Sequence, residues 1–183
     1  MTNCTNNGAI TFEGTATDGI YMGGVVVTVD GNATNLTNNG NLSITGNVST
    51  YVIGGVSSGT VSGTASGCGN LGNITFSGTS IGSGNLCGVI FKSTGAVENC
   101  YNGEKNSKTK GVINGGGTTK GALNVGGIIY SSTGSLTNVV NYAPINVTGN
   151  YGDSAYIGGI GRVGVVNNCT WTECINYGDT TAS

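Results

Sequence analysis

The sequence predicts an all-β fold, a single-stranded, right-handed parallel β-helix (β-solenoid) of about five coils, each with roughly 32 residues and three short strands. Three observations carry this expectation. A polar element, Asn-(Cys/Leu/Val)-x-Asn-x-Gly with lapses, recurs from residues 3, 35, 67, 99, 138 and 173, at intervals of 32, 32, 32, 39 and 35. Apolar and polar residues alternate with period two a few positions after it. No stretch sustains a helical period with caps, so almost no helix is expected.

Within each repeat the polar element comes first, and its fourth position is Asn6, Asn38, Asn70, Asn102, Asn141 and Asn176. Amides stacked in a column hydrogen-bond from coil to coil, so these six are expected to form a structural ladder at a turn. The second element, Gly-x-(Ile/Leu)-x-x-x-Gly, contains Ile10-Thr11-Phe12, Leu42-Ser43-Ile44, Ile74-Thr75-Phe76 and Ile145-Asn146-Val147, which read as strands with one wet face. A glycine pair follows at 23/24, 54/55, 126/127 and 158/159, with Cys87-Gly88 as a variant, and a bend or bulge is expected there. A last apolar stretch, such as Val97 to Cys100 or Leu136 to Val139, leads into the next polar element.

Alignment of the repeats gives three apolar columns: Ile10, Leu42, Ile74, Ile113, Ile145; then Phe12, Ile44, Phe76, Gly115, Val147; then Met22, Ile53, Leu86, Val125, Ile157. Parallel strands about 4.8 Å apart set like above like, so each column is expected to be a continuous inward stack. The surplus of the fourth interval falls in Gly103 to Lys110, an insertion that a solenoid can loop outward. One domain, 1–183, is expected, with repeats at approximately 3–34, 35–66, 67–98, 99–137 and 138–172 and a partial repeat at 173–183.

Composition narrows the function. The chain has 36 Gly, one Pro, no His and 8% charged residues, yet its 37% apolar residues at fixed intervals can build a core that a low-complexity linker cannot. A net charge of −2 without a basic stripe removes the electrostatic term behind nucleic-acid affinity, so nucleic acid is not an expected partner. No run of 18 apolar residues exists, so membrane insertion is not expected. Met1-Thr2-Asn3-Cys4 has neither region of a secretion signal, and the leader of an exported protein would have to lie outside this stretch. No cofactor motif is found, and zinc is not expected without His or a Cys-x-x-Cys pair.

Cys4, Cys68, Cys100 and Cys174 share a column whose other members are Leu36 and Val139, which reads as an apolar site holding buried thiols. Of all the cysteine pairs, Cys169 and Cys174 are the one best spaced for a disulfide, closing a small loop around Trp171. The acids fall at unrelated repeat positions and Arg162 is the single arginine, so paired acid–base chemistry is not indicated and a non-catalytic role is expected. The insertion holds Lys105, Lys108 and Lys110, with Lys120 nearby; it reads either as a solvated loop or as a grip on an anionic glycan. Tyr101, Tyr142, Tyr177 and Trp171 lie beside the asparagine column, either as a packing ladder or as a sugar-stacking strip. Candidate ligand contacts are therefore Lys105, Lys108, Lys110, Tyr142 and Tyr177.

Segments such as Val125-Gly126-Gly127-Ile128-Ile129, Gly95-Ala96-Val97-Glu98-Asn99-Cys100-Tyr101-Asn102 and Ile157-Gly158-Gly159-Ile160-Gly161 resemble the GLUG-type repeats of bacterial cell-surface proteins. The likeness covers nearly the whole chain and departs at Cys87 and in the last repeat. It implies an extracellular setting and a structural or adhesin-like role, with no catalytic residues to carry over. The expected partners are a second copy of the chain stacked head-to-tail into a filament, neighbouring repeats of a longer array, or host or cell-wall glycans.

Overall fold

A computed structural model describes residues 1–161 and 169–183, and all the regular structure in them is β. The strands stack into a parallel β-solenoid of about five turns, each turn advancing the chain by roughly 32 residues. Every strand pairing among the described residues is parallel, and the asparagine column joins equivalent residues: Asn6 pairs with Asn38, Asn38 with Asn70, Asn70 with Asn102, Asn102 with Asn141, and Asn141 with Asn176.

Three strands per turn were expected and six ladders are found, because each expected stretch divides in two. The third turn shows where. Ala65–Ser66 and Gly69–Asn70 are separated at Gly67, whose φ is +65°. Ile74–Phe76 and Thr79–Ser80 are separated around Gly78, and Gly84–Cys87 and Ile90–Ser93 at Gly88. The first break has a clear conformational cause. The same position in the other turns is Asn3, Asn35, Asn99, Asn138 and Glu173, all with φ between +50° and +54°. Glycine and asparagine tolerate this left-handed conformation, which explains why the polar element opens with them.

The three predicted columns do point inward. Leu42, Ile74, Ile113 and Ile145 are fully buried, as are Ile44, Ile53, Leu86, Val125 and Val147. Large and small residues compensate along the axis. Tyr51 fills the space above Gly84, stacks on Phe76 at 3.8 Å and reaches Thr119 with a 3.0 Å hydroxyl contact.

The interior forms two apolar lobes. One holds the Leu42, Ile44 and Ile53 columns; the other holds Leu36, Cys68, Cys100 and Val139 with Val61, Val97 and Ile128. The chain passes from lobe to lobe at the ladder asparagine and again at the glycine pair, and these two crossings touch. A Cβ on Gly55 would lie 2.5 Å from Asn70 Cγ, and one on Gly24 would lie 2.5 Å from Asn38 Cγ. The expected bend at the glycine pair is thus joined by a steric reason: the second glycine leaves room for the amide of the following turn.

That amide column is fully bonded. Asn38 Nδ2 donates to Asn70 Oδ1 at 2.8 Å and to the Gly40 carbonyl at 2.7 Å; Asn70 Nδ2 donates to Asn102 Oδ1 and to the Gly72 carbonyl, both at 2.8 Å. Asn38, Asn70, Asn102 and Asn141 have no exposed surface, so each amide bond is made away from water, where leaving it unmade is costly.

Replacing Asn70 by Leu is expected to cost about 2–4 kcal/mol in urea unfolding, since it strands the Asn38 donor, the Asn102 acceptor and the Gly72 carbonyl. Asn39→Ala, on the exposed Asn39–Asn7 pair, is expected to stay within about 0.5 kcal/mol. Glu173 has no tolerance for its φ of +53°, so Glu173→Asn is expected to stabilise the last turn. Its Tm should rise by about 2–4 °C, corresponding to about 1 kcal/mol.

Candidate functional site

The insertion leaves the solenoid at Gly103 and returns at Gly111, with φ of +79° and +71°. A Cβ on Gly111 would lie 2.5 Å from the Gly103 nitrogen, so the two stems touch and the residues between them bulge outward. Register resumes at once: Asn102 Nδ2 donates to the Gly111 carbonyl at 3.0 Å and to Asn141 Oδ1 at 2.9 Å. The loop carries its own order, through a turn from Ser107 N to the Glu104 carbonyl and a 2.8 Å ion pair between Lys110 and Glu104.

The loop reaches along the solenoid toward the following turns. Lys108 Nζ lies 3.6 Å from a carboxylate oxygen of Asp179, in the last turn. Beneath it Tyr142 and Tyr177 stack with ring centroids 5.5 Å apart and planes 3° from parallel, an offset arrangement favoured by the ring quadrupoles. Loop and tyrosines enclose a cleft of about 290 Å³ lined by Lys105, Asn106, Ser107, Lys108, Tyr142 and Tyr177. Tyr177 is 64% exposed, so much of its ring is left uncovered by the fold.

Four of the five candidate contacts therefore meet in one place: Lys105, Lys108, Tyr142 and Tyr177. Lys110 does not line the cleft; it is turned to Glu104, where it braces the loop. Tyr101 belongs to a different column, its ring covering Gly69, and lines a second cleft of about 260 Å³ with Asn99, Asn138, Val140 and Tyr142. Trp171 lies in another ladder, paired with Leu136. Asp179 was missed by sequence reasoning because its repeat position carries no signal, and only the reach of the insertion brings it near. Arg162 lies outside the described residues.

The cysteines correct one expectation. Cys169 and Cys174 are both free thiols. Cys169 Sγ meets the Gly134 carbonyl and the Trp171 indole N–H, whereas Cys174 Sγ faces the Leu136 carbonyl, and the small loop is not closed. Cys68 and Cys100 are buried in the apolar column, as their Leu36 and Val139 counterparts suggested. The neighbouring Cys68 thiol, together with burial, pushes Cys100 well above the usual thiol range, and burial alone does the same to Cys87. Thiolates are thereby disfavoured at both positions, and neither is an activated nucleophile.

In the native protein a thiol reagent is expected to modify the partly exposed Cys4, Cys169 and Cys174 quickly, and Cys68, Cys87 and Cys100 only after denaturation. Mass mapping of the modified sites checks this; fast modification of Cys87 would contradict its placement. Comparison of the chain with known protein families, with characterised proteins and with solved structures finds no match.

Proposed function

We propose that this chain is a non-catalytic structural and adhesive segment of an extracellular surface protein, a stiff rod that holds a binding face away from its attachment. The axial register supports the reading. The ladder asparagines bond from turn to turn, and a ladder buried from Asn38 to Asn141 resists bending because tilting one turn breaks bonds on both sides. The likeness to GLUG-type surface repeats points to the same setting.

Head-to-tail assembly is a variant of this role. Ile10 is 37% exposed although Leu42, Ile74, Ile113 and Ile145 in its column are fully buried, and Ile175 at the other end is 41% exposed. A further layer of strands, from a second copy or from adjoining repeats, would cover such surfaces. Electron microscopy of the purified chain tests this: fibres with an axial repeat of roughly 25 Å support assembly, and dispersed particles at high concentration argue against it.

A second reading, carbohydrate binding, is favoured by a specific observation, the cleft in which Tyr142 and Tyr177 meet two lysines. Aromatic walls with a few polar groups are the usual lining of small-ligand sites. A glycan array is expected to return hits that vanish in a Tyr142→Ala/Tyr177→Ala double variant; an array without such hits counts against this reading.

A further inference from the structure

We infer that the cleft between the 104–110 loop and the Tyr142–Tyr177 stack takes an acidic sugar residue, a uronate or a sulfated hexose, with its ring against tyrosine and its anion between Lys105 and Lys108. The inference rests on the carbohydrate reading above and adds the charge of the ligand.

The size suits a single sugar unit. At about 290 Å³ the cleft sits at the small end of ligand pockets, which run from about 300 to 1,000 Å³. The tyrosine side contributes a rigid surface: Tyr177 is backed by the parallel ring of Tyr142, and its exposed ring can pack the apolar C–H face of a pyranose at little entropic cost. The loop side contributes positive charge on a chain whose net charge is −2. Three of its six basic residues lie in this one insertion, and their partners differ. Lys110 is paired with Glu104 at 2.8 Å, within the loop itself. Lys105 has no ion pair among the described residues. Lys108 meets Asp179 only loosely, at 3.6 Å, with side chains 85% and 77% exposed.

That last pair makes the ligand's charge testable. A solvent-exposed ion pair is worth little, so the carboxylate or sulfate of a bound sugar can replace Asp179 at Lys108 at small cost. Asp179 then acts as a competing anion for the same ammonium. A neutral sugar would gain nothing from either lysine, and its binding would be indifferent to Asp179. Lysine, a compact hydrated charge without a fixed fork, reads the anion's charge more than its shape, which is why uronate and sulfate are grouped together.

The test is isothermal titration of the whole chain with oligogalacturonate, a sulfated galactan oligomer, and the methyl ester of the same oligogalacturonate as the neutral control. Either acidic probe is expected to bind at least about tenfold more tightly than the ester, a difference of about 1.4 kcal/mol. Lys105→Ala/Lys108→Ala should erase that advantage, Asp179→Asn should tighten acidic binding about two- to fivefold, and raising salt from about 50 to 500 mM should weaken it. All three substitutions are on exposed side chains, and unchanged thermal melting establishes that the variants fold. Equal binding of acid and ester that disappears in Tyr142→Ala/Tyr177→Ala overturns the acidic assignment and leaves the carbohydrate reading standing. No binding of any of the three probes, with an array free of tyrosine-dependent hits, overturns both.

Discussion

The fold depends on the contact between a buried amide and a glycine of the preceding turn. An asparagine inside an apolar core is costly unless every donor and acceptor is used, and here each one is bonded along the axis and to its own turn. That requires the amides to lie one above another within hydrogen-bond distance, which sets the register of the whole stack. It also requires the opposite wall to approach without a side chain, as Gly24, Gly55 and Gly88 do. The two most regular motifs in the sequence are therefore the two halves of one seam, with an apolar lobe on either side.

Because the strands of each turn pair only with those of the adjacent turns, stability accumulates layer by layer. The same locality explains why the insertion is harmless. Gly103 and Gly111 close its stems, the Gly111 carbonyl takes the place of the carbonyl two residues on that the amide meets in the other turns, and the ladder continues to Asn141 unbroken. Extra residues add loop-closure entropy, which grows slowly with length, and disturb no core column. An insertion of this kind can be tuned for binding without altering the scaffold, and it is where the chain gathers its cations beside exposed aromatic surface.

The cysteine column shows the limit of reading residue type without neighbours. Cys68 and Cys100 follow the apolar rule of their column, and the neighbouring Cys68 thiol together with burial holds the Cys100 thiol neutral. Cys169 and Cys174 are close in sequence, but Cys169 faces the Gly134 carbonyl and Cys174 that of Leu136. Proximity along the chain did not join their sulfurs, which are taken up by two different backbone carbonyls.

What the sequence determined by itself was what repeats within a single column: the β-solenoid, its period, the inward columns of Leu42, Ile44 and Ile53, and the asparagine ladder. A property repeated every turn is visible in one dimension, since the axial neighbour of each residue is its counterpart one period away. Tertiary structure alone decided what happens between different columns. The division of each stretch into two strands, the meeting of Asn70 with Gly55, and the cleft that joins Lys105 and Lys108 to Tyr142, Tyr177 and the nearby Asp179 depend on how the coil bends across its section and how far a loop reaches. Those are distances across the solenoid, and no spacing along the chain encodes them.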